Sequence, residues 1–179
     1  HTASGHEVRV SETLRQRVYE MGVVVSLNDL INASVTAVHY SKNIELQNGY
    51  TAQFVINELG KINLNKRFDM TRARYINDGQ SLYAYTKAHG IMIYDKVSDL
   101  ARSPKRAIDR EQTLYQLSLF SQLKKSKEIL RFETRLNEKR KMNMLFSKLG
   151  FAKDPTFKDV FSIQKSKAVM LYYWDTMIA

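Results

Sequence analysis

The chain has 179 residues, 44% of them hydrophobic, and a formal net charge of +10. This is the size of one domain with a core of its own. It has no cysteine, which excludes a disulfide framework and a cysteine-ligated zinc site. No apolar run approaches the ~20 residues of a membrane span. We therefore expect no membrane partner, and the basic excess of 28 Lys and Arg over 18 Asp and Glu is typical of proteins that bind nucleic acid.

The ends of the chain lead to two expectations about its organisation. Residues 1–5, HTASG, look like the remnant of a tag and are set apart from the fold. Residues 6–179 contain no low-complexity run and no evident linker, so they are expected to form a single domain. Because no initiator methionine is present, this domain is expected to be a fragment of a longer protein.

The first third of the chain predicts helices around one long strand. Strands are expected where apolar and polar residues alternate, and helices where capping residues precede a stripe with helical spacing. The predicted elements are an edge strand at 6–10, a helix at 12–21 ending at Gly22, a short helix at 27–32 after Ser26, a strand at 35–46, an Asn48-Gly49 turn and a helix at 52–60 after Thr51.

The rest of the chain predicts a three-stranded meander and a later strand between helices. After a basic connector at 61–69, the meander strands are 71–76, 81–87 and 91–96, and turn sequences separate them. A basic segment at 98–110, a helix at 111–124, a strand at 129–136, a helix at 138–149 and a last helix at 157–178 follow. The predicted fold class is α+β, with an antiparallel sheet of about five strands and helices packed mainly on one face.

The strand at 129–136 combines an apolar face with a charged one. Alternation places Glu133 on the same face as Arg131 and Arg135. A carboxylate among cations could hold a divalent metal beside phosphates, or the face could be solvated, with Glu133 simply pairing with the neighbouring arginines. From this stretch alone, pairing is the favoured interpretation.

Common catalytic motifs are missing, and a set of polar strand residues remains. The sequence has no Gly-rich phosphate loop, nucleophile elbow, EF-hand loop or histidine-rich zinc spacing. The candidates are His39, Tyr83, Tyr85, Tyr94, Asp95 and Glu133. Imidazole and carboxylates are suitable ligands for magnesium or manganese beside a phosphodiester, and a nearby tyrosine could attack phosphorus. The cations that could neutralise phosphate oxygens are Arg72, Arg74, Lys87, Lys96, Arg131 and Arg135.

Each candidate also has an ordinary structural interpretation. A lone histidine such as His39 is more often a hydrogen-bonded core residue. Tyr83 and Tyr85 are common sheet residues by propensity, and Asp95 follows a strand, where an aspartate often caps a turn. No single residue decides between the two interpretations.

The order of three segments resembles a known family. The segments are ASVTAVHYSKNIEL, KRFDMTRARYINDGQSLYAYTKAHGIMIYDKVSDL and LRFETRLNEKRKM. They are similar to the rolling-circle replication initiators of filamentous phages and small plasmids, which have a strand ending in Asp or His, a later YDK strand and an LRFE-R strand after a helix. The matching positions are His39, then Tyr94 to Lys96, then Arg131, Glu133 and Arg135, within about 35–141.

The resemblance implies metal-dependent nicking and joining of single-stranded DNA in the cytoplasm of a bacterial host. A tyrosine becomes attached to the 5′ phosphate, and the freed 3′ end primes synthesis. Many such initiators use a His-hydrophobic-His pair for the metal, whereas Val38-His39-Tyr40 offers one histidine. The implied magnesium or manganese set is therefore His39, Asp95 and Glu133. Both Tyr85 and Tyr94 are possible nucleophiles, with Tyr83 behind them. Strand parity places Tyr94 and Asp95 on opposite faces unless a bulge intervenes.

Two other functions fit the same residues. A non-catalytic nucleic-acid-binding domain would grip phosphates with its basic face and stack unpaired bases on its tyrosines, with no need for metal. A structural or interaction domain would carry its charge incidentally and would not be retained on an oligonucleotide resin. The sequence does not indicate the oligomeric state.

Overall fold

The structure is a computed structural model, and it describes residues 3–68, 72–76, 79–101 and 127–179. The described helices are α1 (Ala3–Glu20), α2 (Leu27–Ile31), α3 (Ala52–Gly60), α4 (Leu64–Phe68), α5 (Lys96–Ala101), α6 (Lys139–Lys148) and α7 (Ile163–Ile178). The strands are β1 (Val38–Glu45), β2 (Arg72–Ile76), β3 (Ser81–Tyr85), β4 (His89–Asp95) and β5 (Ile129–Leu136).

The five strands form one antiparallel sheet in the order β1-β5-β4-β3-β2, so the predicted α+β class is confirmed. Strands β1 and β2 are its edges. The three strands between them carry most of the buried strand residues. This arrangement leaves the residues of β2 almost entirely exposed.

Local chemistry explains where several elements begin and end. The Oγ1 atom of Thr51 accepts the backbone N–H of Phe54 at 3.1 Å, and Ser26 and Ser162 cap α2 and α7 in the same way. Such caps satisfy amide donors that the first helical turn leaves without a partner. The turn at Asn48 and Gly49 has φ angles of 58° and 76°, which an Asn-Gly pair tolerates.

The described residues cluster into two compact units. The first contains the described residues within His1–Tyr40, Lys87–Gly90 and Thr134–Ala179, and the second contains those within Ser41–Thr86 and Ile91–Glu133. Buried side chains of the first unit are Met142, Phe146, Val169, Tyr173 and Met177. Those of the second are Ile56, Leu82, Ala84, Ile91, Ile93, Leu130 and Phe132. Each unit therefore has an apolar core that can hold its surface residues in place.

Several predicted elements differ from the observed ones, among them the segment at 96–101, which forms helix α5. Residues 6–10 belong to α1 and not to an edge strand, because no glycine or proline interrupts the chain between His6 and Gly22. The connector at 61–69 contains helix α4. The predicted helix at 157–178 is a short 3₁₀ turn, Lys158–Phe161, followed by α7, because Ser162 is extended and caps a new helix. Strand β4 begins at His89, inside the predicted turn. The predicted helix at 111–124 lies outside the described residues.

Candidate nucleic-acid interface

Strands β2 and β3 place two arginines opposite two tyrosines. In their antiparallel register, Arg72 faces Tyr85 and Arg74 faces Tyr83. Directly opposed residues project from the same face of a sheet, so these four side chains share one face, called here the Arg–Tyr face. Both arginines are exposed and both tyrosines are half-buried. The face is therefore accessible and carries two positive charges.

The opposite face of the same hairpin is anchored to helix α3. There Ala73 faces Ala84 and Tyr75 faces Leu82, and the Leu82 side chain is 3% exposed. The phenol of Tyr75 lies where a side chain at Gly60, the last residue of α3, would have to sit. Because α3 contacts this side of the hairpin, the Arg–Tyr face points away from that helix.

The two tyrosine rings stack face to face beside a cation. The rings of Tyr83 and Tyr85 stack with centroids 4.3 Å apart and an interplanar angle of 13°. The guanidinium carbon of Arg74 lies 5.2 Å from the centroid of the Tyr85 ring, in cation–π range. Arg74 also donates a hydrogen bond to the Tyr85 phenol oxygen. The arrangement offers both a stacking platform and a phosphate-binding group.

The two arginines lower the pKa of Tyr85. The hydrogen bond from Arg74 is the largest cause, and a hydrogen bond and the positive charge of Arg72 act in the same direction. Desolvation opposes them and is second in size to the Arg74 hydrogen bond, but the net effect is a lowered pKa. A nearby cation stabilises the phenolate relative to the phenol. Tyr85 therefore gives up its proton at a lower pH than an ordinary tyrosine.

Replacing Arg74 with glutamine is expected to raise the pKa of Tyr85 towards its ordinary value of about 10. The reason is that the neutral amide stabilises the phenolate less than the guanidinium does. Nuclear magnetic resonance of protein labelled with carbon-13 at the tyrosine ζ position can follow the titration, with Tyr85→Phe assigning the signal. Arg131→Gln, which removes an arginine from another strand, should leave the Tyr85 pKa where it is. A similar rise in both variants would contradict this cause.

Glu133 pairs with Arg131, as the interpretation favoured from the sequence proposed, but the predicted solvation of this position is wrong. Its side chain is buried, with Oε2 at 3.8 Å from Nε of Arg131. The same arginine also donates from Nη2 to Oγ of Ser41 at 2.5 Å. The charge of Glu133 is therefore offset by a cation of its own strand.

Asp95 caps a turn at the end of β4. Its Oδ1 accepts the backbone N–H groups of Val97 and Ser98 at 2.9 and 3.1 Å, and its Oδ2 accepts the Ser98 hydroxyl at 2.5 Å. The capped segment is helix α5. Lys96 pairs with Asp99 at 3.1 Å, and its Nζ lies 5.8 Å from the centroid of the Tyr94 ring. Tyr94 itself is 9% exposed, so Tyr85 is the more accessible of the two candidate nucleophiles.

His39 is exposed on β1 and is not a core histidine. Its Nε2 lies 3.2 Å from Oδ1 of Asn137. Lys87 is also exposed, with Nζ 4.0 Å from Oε1 of Glu138. Neither residue belongs to the Arg–Tyr face: His39 and Lys87 lie in the first unit, whereas Arg72, Arg74, Tyr83 and Tyr85 lie in the second.

The metal set implied by the resemblance does not fit these contacts. Within the described ranges, no group of three or more His, Cys, Asp or Glu side chains is placed to hold a metal ion. Both oxygens of Asp95 accept hydrogen bonds from its own turn, and Glu133 pairs with Arg131. Magnesium or manganese binding stays a prediction.

The Arg–Tyr face is only partly evident in the sequence. Strand alternation places Arg72 with Arg74 and Tyr83 with Tyr85, but it does not say that the two pairs are opposite one another. The register of the hairpin supplies that link. The hydrogen bond between Arg74 and Tyr85 is a diagonal contact across the two strands, which depends on side-chain conformation as well as on register.

Comparison with known proteins found no matching family model, no matching curated protein and no matching solved structure. In the part of the chain that the structure describes, no helix has the length and apolar character needed to cross a bilayer. A function has therefore to be inferred from the contacts of the residues themselves.

Proposed function

We propose that this chain binds single-stranded nucleic acid through the Arg–Tyr face. The observation that carries the proposal is the stacked pair of Tyr83 and Tyr85 with Arg74 against it. The net charge of +10 supports a polyanionic partner.

Stacking of bases on the tyrosine rings favours a single-stranded nucleic acid over a duplex. A base in a duplex is stacked between its neighbours, whereas an unpaired base can lie against an aromatic side chain. The Tyr83 and Tyr85 rings offer such a surface on an exposed hairpin. Arg72 and Arg74 on the neighbouring strand would then meet the phosphates that connect the stacked bases. The face would accept many sequences, because every base has a flat ring.

Replacing Arg72 and Arg74 together with glutamine is expected to weaken binding and reduce its salt dependence. Two lost phosphate contacts lower the slope of log affinity against log salt by about 1.4 for a single strand. Fluorescence anisotropy of a labelled oligothymidylate at several salt concentrations measures both quantities.

The matched control replaces Lys42 and Lys61 with glutamine. These are two exposed cations of the same unit that lie outside the Arg–Tyr face. This variant loses the same charge and should keep most of the affinity and slope. Equal losses in the two variants would show that general charge, and not this face, holds the strand. If the unchanged protein fails to bind the oligonucleotide, the basic charge is incidental.

We propose as a second candidate that the bound strand is cut by Tyr85, as the resemblance to rolling-circle initiators implies. The supporting observation is that Arg74 donates to the phenol oxygen of Tyr85 and, with Arg72, lowers its pKa. In this reaction the phenolate oxygen bonds to phosphorus and the bond from phosphorus to the 3′ oxygen breaks. The departing 3′ oxygen takes a proton and becomes a hydroxyl, and the 5′ phosphate stays on the tyrosine. A bacterial cytoplasm would be the setting of this activity.

A further inference from the structure

An open surface groove in the first unit runs along helix α6 and is rich in cations. Its charged side chains, together with the amide that binds its carboxylate, define what we call the α6 groove: Lys139, Arg140, Asn143, Lys148, Lys153 and Asp154. The groove carries four cationic side chains and one carboxylate. We propose that the α6 groove binds the phosphodiester backbone of nucleic acid, at a site separate from the Arg–Tyr face.

The single carboxylate of the groove is already neutralised. Oδ1 of Asp154 lies 2.9 Å from Nζ of Lys139 and accepts a hydrogen bond from the Asn143 amide at 3.0 Å. The Lys139 and Asn143 contacts hold the pKa of Asp154 below its ordinary value, so it stays ionised and paired. In the described part of the chain, Arg140 and Lys153 have no carboxylate within ion-pair distance. Both are exposed, so their charge is available to a ligand.

The groove is built on a rigid frame. The buried side chains of α6, Met142, Leu145 and Phe146, fix the helix in the core. Asn143 and Asp154 exchange two hydrogen bonds, which tie the loop that carries Lys153 to the helix. The Nζ atom of Lys148 lies 4.7 Å from the centroid of the Tyr172 ring and 3.3 Å from its hydroxyl. Less conformational entropy is lost on binding when cations are held in this way.

The position of the cations on α6 is unfavourable for the helix itself. The helix begins with Lys139, Arg140 and Lys141, has no acidic residue in its first turn and lacks a side-chain cap bond from Glu138. Positive charge at a helix N-terminus opposes the helix dipole, at about 0.3–1 kcal/mol for each exposed charge. A solvated helix would carry acidic residues there. Side chains that weaken the fold are typical of a binding site.

The ligand class follows from what lines the groove. The residues that define the groove offer four cations, one amide and one paired carboxylate, with no aromatic ring among them to stack on a base. Arg140 can make paired hydrogen bonds to a phosphate, and the lysines act as point charges. Contacts to the backbone alone do not distinguish a duplex from a single strand, so the test uses both.

The test replaces Arg140, Lys148 and Lys153 with glutamine in the full chain. Binding of a labelled duplex and of a labelled oligothymidylate is measured by anisotropy at several salt concentrations. We expect the slope of log affinity against log salt to fall by about 2 for the single strand and about 3 for the duplex. A fall with only one of the two ligands supports the proposal and identifies the one that the groove takes.

The control variant replaces Arg15, Lys158 and Lys167 with glutamine. These are three exposed cations of the same unit that lie outside the groove. This control loses the same charge as the groove variant. An equal loss of affinity in the two variants would overturn the proposal, and so would an unchanged affinity in the groove variant. A thermal melt of each variant confirms that it is folded. The proposal does not depend on the Arg–Tyr face: Arg72→Gln with Arg74→Gln is expected to keep duplex binding, so a fall in duplex binding in the groove variant reports on the groove alone.

Discussion

Replacing Tyr83 and Tyr85 together with alanine is expected to weaken the binding of oligothymidylate by roughly 5- to 150-fold, because stacking is worth about 1–3 kcal/mol per base. The two rings already stack on each other, so the loss is expected to be that of one shared platform. Anisotropy at a fixed salt concentration measures it. Duplex binding should change much less, since paired bases do not reach the rings.

Phenylalanine at the same two positions separates stacking from phenol chemistry. The Phe variant keeps both rings, so its affinity should stay within about threefold of the unchanged protein, which is well below the loss expected when stacking is removed. If Tyr85 also cuts the strand, the unchanged protein will form a covalent adduct with labelled DNA when manganese or magnesium is added. Tyr85→Phe would abolish that adduct and Tyr83→Phe would keep it.

The control for the alanine variant is Tyr19→Ala, which removes an exposed ring from α1. Its affinity should match that of the unchanged protein. If the Phe variant binds as poorly as the Ala variant, hydroxyl contacts and not stacking hold the strand, and the proposed mode of binding is wrong. An adduct that survives Tyr85→Phe would exclude this residue as the nucleophile.

The largest effect on stability is expected from Phe146→Ala, which should lower the free energy of unfolding by about 3–5 kcal/mol. The Phe146 ring is 0% exposed and makes an edge-to-face contact with Phe151 at a centroid distance of 6.4 Å. The ammonium of the buried Lys165 lies 4.9 Å from the centroid of the same ring. The variant therefore opens a cavity and also removes an aromatic partner from a buried cation.

Urea unfolding followed by the fluorescence of Trp174, the one tryptophan of the chain, measures this change in the same unit. Met144→Ala is the control, because Met144 lies on the same helix with 59% of its side chain exposed. Its free energy of unfolding should change by about 0.5 kcal/mol or less. Comparable losses in the two variants would mean that the Phe146 side of α6 is not the one packed in the core.

Local chemistry was enough to predict much of the fold. Alternation located β1, β3 and β5, and the serine and threonine caps located α2 and α3, because these signals act over a few residues. The break at Ser162 was missed for the opposite reason. The apolar spacing continues through it, and only the extended backbone at Ser162 separates the 3₁₀ turn from α7.

At the candidate site, too, the sequence predicted contacts between near neighbours and missed contacts between distant residues. The pairing of Glu133 with Arg131 and the capping role of Asp95 are contacts within three residues, and both were among the interpretations made from the sequence. The contact between His39 and Asn137 joins residues 98 positions apart, and no local pattern indicates it. The groove along α6 was not predicted either, because Lys153 and Asp154 reach it from the loop after Gly150.

The seating of Tyr75 against Gly60 has little consequence for the other side of the hairpin. Tyr75 follows Arg74 directly, and the two side chains project in opposite directions from one strand. The phenol of Tyr75 occupies the space left by the missing side chain of Gly60, so a methyl group added at position 60 would displace the end of the Tyr75 side chain. Because Tyr75 is half-exposed, its ring can swing aside, and Arg74 on the other side of β2 is expected to keep its contact with Tyr85.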